Sequence, residues 1–214
     1  MALSDIQRVP EMRVLLRLLA ARSGQVVRPG SLASELGLPQ TTIARYLSLL
    51  EEVFLIKKVP AWVTNLSARA TSAPKLAFVD SGIAANVLGQ TPDRLSGPAS
   101  PLGGLLEGFV TMEVARQLTW SEVRAEQSHY RTRDQVEVDI VLESRHGDVV
   151  AIGVKASSTV SPADFAGMRH LASRLGKRLV LGLVLHTGQQ TVPFGPIMRA
   201  MPISALWQVG STAS

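Results

Sequence analysis

The chain has 214 residues, 46% of them hydrophobic and 18% charged, with a formal net charge of +5 and no cysteine. That length allows an ordinary domain plus a small one, and the composition suits packed cores rather than disorder. Disulfides and thiolate zinc sites are excluded, and no apolar run reaches the roughly 18 residues of a membrane span. The excess of positive charge permits a polyanionic partner without requiring one.

The first stretch, MALSDIQRVPEMRVLLRLLA, carries Asp5 and Glu11 among its apolar residues and lacks a small-residue cleavage site. It reads as a helix over residues 3–22 rather than as a signal peptide, so a cytoplasmic protein is expected. Gly24 ends that helix, and Gln25-Val26-Val27 reads as a short strand. In SLASELGLPQTTIARYLSLLEE, Ser31 is expected as an N-cap, Leu32 to Leu36 as a short helix and Gly37-Leu38-Pro39 as a turn. A second helix, Gln40 to Glu52, turns Ile43, Tyr46, Leu47 and Leu50 inward. Strands Phe54–Val59 and Lys75–Val79 pair after it. Together these predict a winged helix-turn-helix over about residues 4–79.

The second helix would be the recognition helix. It exposes Gln40, Thr41, Thr42, Arg45 and Ser48, groups able to bond phosphates or base edges, with Arg45 suited to guanine. The plain alternatives are a solvated helix face and a packing or dimerising module.

Asp80 should cap the helix Ser81–Leu88, and the Pro/Gly/Ser-rich stretch Thr91–Gly104 reads as a domain joint. Two domains follow, residues 1–90 and 91–214. The second opens with an amphipathic helix in LLEGFVTMEVARQLTW, with Leu106, Phe109, Val110, Val114 and Leu118 on its buried side. A strand Ala125–Arg131 leads into YRTRDQVEVDIVLESRHGDVVAIGVKAS.

That last stretch predicts a hairpin. Strand Gln135–Glu143 alternates, Ser144 to Asp148 turns, and Val149–Lys155 is an apolar run buried on both faces. Asp139 and Lys155 lie within these strands, where a charge needs a partner or a metal. A helix Pro162–Leu175 ends at Gly176, and LVLGLVLHT is a buried strand, which makes a strand–helix–strand unit. A short strand and a helical turn around Trp207 close the chain, with residues 211–214 loose. His129, His146, His170 and His186 share no ligand spacing, and Glu143 and Asp164 read as surface acids.

The hairpin resembles the PD-(D/E)xK nuclease core, in which an aspartate on one strand faces (Asp/Glu)-x-Lys on the next. Asp139 matches the aspartate, and Gly153-Val154-Lys155 matches the tripeptide with glycine in place of the second carboxylate. The wider set KLAFVDSGIAANVLG, GGLLEGFVTMEVARQ, HYRTRDQVEVDIVLE, VKAS and PISALW is similar to the C-terminal domain that follows AAA-type P-loop ATPase modules in a bacterial and archaeal family. The resemblance implies an α/β fold: a winged helix-turn-helix followed by a restriction-endonuclease-like mixed sheet flanked by helices. It implies a site of Glu107, Asp139 and Lys155, with Asp139 and Glu107 as metal ligands. Arg131 and Arg133 would contact phosphates.

The chain begins at the winged helix and has no GxxxxGK[ST], so it reads as a fragment, an engineered form or a natural short form lacking the ATPase module, and no nucleotide site is expected. With Gly153 in the motif, only weak Mg²⁺ or Mn²⁺ binding is expected, and without metal Asp139 would pair with Lys155. The leading expectation is a nucleic-acid-binding protein, for DNA rather than RNA, with impaired catalysis. Two others stand beside it. One is an interaction module, regulatory or toxin–antitoxin-associated, acting through a partner protein or a homodimer. The other is an active metal nuclease that recruits Glu137 or Glu107. No membrane partner is expected.

Overall fold

A computed structural model describes residues 9–63, 72–97 and 100–208. It divides into two units, Met1–Met112 and Glu113–Ser214. The expected helical residues 3–8 and the expected loose tail 211–214 lie outside the described residues.

The first unit opens with three helices: α1 (Val9–Ala21), α2 (Pro29–Leu36) and α3 (Gln40–Glu52). Met12, Leu15 and Leu19 recur at helical spacing on α1 and are buried with Leu32 of α2. From α3, Ile43, Tyr46, Leu47 and Leu50 join them, the four residues that the pattern points inward. Strands β1 (Ile56–Val59) and β2 (Lys75–Phe78) pair antiparallel, from Ile56 opposite Phe78 to Val59 opposite Lys75. Val26 makes one isolated bridge to Lys75 where a short strand is expected. Helix α4 (Ser81–Val87) starts on Asp80, whose carboxylate accepts the Gly82 and Ile83 N–H groups.

Three local expectations are corrected here. Ser31 is not a cap: α2 begins two residues earlier, at Pro29, because proline at the first helical position presets φ and needs no N–H partner. Phe54 is not in a strand: it ends α3 with φ 57°, and β1 starts at Ile56. The joint Thr91–Gly104 holds a short helix, α5 (Pro92–Leu95), capped by Thr91, and α6 (Leu102–Trp120) starts inside it.

The division between units falls within α6. Its first half belongs to the first unit, where Leu105 enters the core. Rather than showing one polar face, α6 is exposed only at Gly103, Thr119 and Trp120. Among the described residues no helix is long and apolar enough to cross a membrane.

The second unit is a six-stranded mixed sheet. Its strands are β3 (Ala125–Arg131), β4 (Glu137–Ser144), β5 (Val149–Lys155), β6 (Leu179–His186), β7 (Val192–Pro193) and β8 (Met198–Pro202), in the order β3-β4-β5-β6-β8-β7. β3, β4 and β5 form an antiparallel meander. The chain then crosses through a 3₁₀ turn (Pro162–Phe165) and α7 (Ala166–Leu175) to β6, which runs parallel to β5, as does β8 to β6. A crossover of this length is what a parallel pair demands. Phe165, Met168 and Leu171 bury the inner side of the crossover.

α7 lies unusually close to the sheet. A Cβ placed on Gly167 would fall 1.9 Å from the carbonyl oxygen of Glu137, the first residue of β4. Only glycine allows that backbone contact. Gly167→Ala should therefore force α7 off β4 and lower unfolding stability by about 1–3 kcal/mol or more, measured by urea denaturation. Gly176→Ala, at a position with φ 57° and open space, should act through backbone strain alone.

Candidate functional site

On β4 and β5 the strand period of two puts Glu137 and Asp139 on one face, with Gly153 and Lys155 on the same side of the neighbouring strand. Pairing of the two strands runs from Glu143 opposite Val149 to Ile140 opposite Ile152. Beyond that last pair a side chain replaces the backbone ladder. Asp139 Oδ2 accepts the Val154 N–H at 2.9 Å. The same oxygen lies 3.8 Å from where a Cβ on Gly153 would sit. Glu137 and Asp139 can bring carboxylate oxygens within 4.8 Å of each other. Glu137 also faces its cross-strand partner Arg131, at 3.7 Å.

Position 153 is filled from above. The Met168 methyl carbon lies 3.1 Å from the Cβ position, and Val184 of β6 lies at 3.9 Å. Within the second unit, Glu137 and Asp139 supply two neighbouring carboxylates. Oxygen donors suit a hard divalent cation in kind, and each of these two already has a protein contact.

The expected Asp139–Lys155 ion pair is replaced by another. Lys155, the half-exposed last residue of β5, pairs with Asp164 at 3.1 Å. Asp164 sits in the 3₁₀ turn before α7, where its Oδ2 accepts from Ser161 N at 2.8 Å and Ser161 Oγ at 3.0 Å. Ser161 and Asp164 form a capping box. Asp164 is therefore more than a surface acid. Its signal was present in Ser161-Pro162-Ala163-Asp164, a cap followed three residues later by an acid.

Glu107 belongs to the first unit, and there it pairs with Lys75 at 2.6 Å. The Lys75 side chain is only 4% exposed, so its charge depends on such a counter-ion. On α3, Gln40, Thr41 and Arg45 are exposed, while Thr42 and Ser48 are half-buried. Arg131 also bonds the Gln135 side chain, and Arg133 is exposed. His186 is a structural histidine: Gly188 N–H donates to Nδ1 at 3.0 Å, and Nε2 lies 3.1 Å from the Gln190 carbonyl.

Comparison with known proteins adds family context. Residues 1–94 match a family described as Domain of unknown function (DUF8612), and residues 102–206 match Domain of unknown function (DUF4143). The chain is 28% identical over 207 residues to Uncharacterized protein Rv2008c of Mycobacterium tuberculosis and, equally, to Uncharacterized protein Mb2031c of Mycobacterium bovis. Each alignment covers 95% of this chain and 45% of the relative, so the chain spans less than half the length of these proteins. No solved structure matches it.

The Asp164 cluster makes a pH prediction. The Ser161 N–H foremost, and the Lys155 ammonium with it, hold the Asp164 carboxyl below its ordinary value of 3.8, against the opposing effect of burial. A folded value below the unfolded one means stabilisation that is complete above the ordinary value and lost as pH falls through the folded one. Asp164→Ala should cost about 1 kcal/mol at neutral pH, the usual worth of a cap. Urea melts of the two proteins should draw together as the pH is lowered below 3.8.

Proposed function

We propose that the chain is a nucleic-acid-binding module, with a winged helix-turn-helix in its first unit and a PD-(D/E)xK nuclease-like domain of impaired catalysis in its second. The observation that carries this reading is the placement of Asp139 directly against Gly153 on adjacent strands. Glu137 stands beside Asp139, and Lys155 two residues beyond Gly153. This arrangement is what the reading expects of such a motif with its second carboxylate absent.

The surrounding structure supports the same reading. The turn Gly37-Leu38-Pro39 between α2 and α3, followed by the pair β1–β2, suits a winged helix. An antiparallel meander followed by a parallel crossover suits a nuclease-like sheet. The family matched by residues 102–206 is commonly found in AAA-ATPase-associated proteins. An ATPase module is accordingly the protein partner that this reading assigns.

In such a site a divalent ion would polarise the phosphate and activate a water. Asp139 and Glu137 would hold it through oxygen. The chain's own groups also explain why cleavage would be poor. Asp139 is held by the Val154 N–H, Glu137 leans to Arg131, and the Met168 methyl group crowds the place of the missing carboxylate. Lys155 stays with Asp164 and can approach a phosphate only by loosening that pair.

Duplex DNA should bind with an affinity that falls steeply with salt, and Arg45→Ala and Arg131→Ala should each weaken it and reduce the salt slope by about one. Fluorescence anisotropy across a salt series reads both. No binding at low salt would overturn the proposal.

Restoring the carboxylate tests the metal half separately. Gly153→Glu should raise Mn²⁺ affinity in calorimetry, since the nearest atom to a Cβ there is the flexible end of Met168, and adding Asp139→Ala should abolish the gain. Unchanged affinity would show that these strands do not form a metal site.

A further inference from the structure

Three helices of the first unit end in the same left-handed residue with the same reach-back bond. After α2, Gly37 has φ 62° and the Leu38 N–H reaches back to the Ala33 carbonyl at 3.0 Å. After α4, Gly89 has φ 64°, and Gln90 N–H to Ala85 O and Gly89 N–H to Asn86 O both measure 2.9 Å. After α3 the pattern repeats, with Leu55 N–H to Leu50 O at 2.9 Å and Phe54 N–H to Glu51 O at 3.0 Å. Here the left-handed residue, at φ 57°, is a phenylalanine.

That position favours glycine, because a Cβ in left-handed backbone crowds the following carbonyl. A phenylalanine could be kept there by packing, but Phe54 is 80% exposed, the highest value among the exposed large hydrophobics of the described residues. Val53 beside it is 43% exposed. Neither the backbone nor the core of the folded chain accounts for this ring, and an exposed residue in a disfavoured conformation points to binding.

We propose that Phe54, with Val53, is the knob of a surface through which two copies of this chain associate. The local charge argues for a second copy. Glu51 is satisfied within the chain by Lys58 at 2.7 Å, which leaves exposed Glu52 and exposed Lys57 bracketing the turn in sequence. A nucleic acid or an anionic lipid surface would be repelled by Glu52 as much as attracted by Lys57. A patch that carries one charge of each sign around an apolar centre is complementary to itself about a two-fold axis, with Glu52 of one copy meeting Lys57 of the other. The proposal holds independently of the nucleic-acid reading.

Sedimentation velocity of the full chain over a hundredfold concentration series tests it. The wild type should pass from monomer to dimer. Phe54→Gly should weaken association roughly tenfold or more, as loss of an aromatic anchor does, while its Tm, compared at dilutions where both proteins are monomeric, rises because the strain is relieved. Glu52→Lys and Lys57→Glu should each weaken the dimer, and the two together should restore it. A wild type that stays monomeric throughout, a Phe54→Gly dimer of unchanged strength, a lowered Tm, or a charge swap without rescue would each overturn the proposal.

Discussion

The backbone of α7 rests directly on the backbone of β4, and the candidate site follows from that contact. Gly167 permits it, since any side chain would meet the Glu137 carbonyl. Once the helix lies that low, its next residue has no open space on the sheet side. Met168 must fit over β5 and β6, and it does so where those strands carry Gly153 and Gly182, its methyl group at 3.1 Å from one Cβ position and its sulfur at 3.2 Å from the other. Flexible, unbranched methionine fills such irregular gaps well. Glycine at 153 is thus part of a seat for the helix.

The charges around the sheet obey the rule that an ion leaving water needs a partner. Asp139, half-buried, takes an N–H from the strand beyond the point where the β4–β5 ladder ends. Lys155 finds Asp164 because the 3₁₀ turn that launches α7 delivers a carboxylate to the end of β5. Glu137 has Arg131 across the strand pair. In the first unit, Lys75 opens β2 from a buried position and takes Glu107. These contacts give each of these charged residues a structural use in the folded chain. Deletion of Glu107 would leave the buried Lys75 ammonium without this counter-ion.

Much of the architecture was legible because it rests on short-range periodicity. The inward residues of α3, the Asp80 cap, the strand limits Ala125–Arg131 and Val149–Lys155, and the stop at Gly176 are each set by a few neighbours. Misreadings occurred where two local signals competed. Ser31 looked like a cap, but Pro29 is the stronger start, and its fixed φ settles the helix earlier. Phe54 looked like the first residue of the strand Phe54–Val59, while the helix before it needed a left-handed stop. No propensity scale would place phenylalanine there.

By itself the sequence determined most of the longer elements, the facing of Asp139 and Gly153 across adjacent strands, and the absence of a carboxylate at 153. Strand period and hairpin register are enough for that. Only the tertiary structure decided which partners those residues take: Val154 N–H for Asp139, Asp164 for Lys155, Lys75 for Glu107 and Met168 over Gly153. Such pairings join elements far apart in the chain, and they depend on distances of a few ångströms set by how closely a helix lies on a sheet. A one-dimensional pattern records which residues share a face. It does not record the height of the helix above that face, and here that height settles what Gly153 and Met168 do.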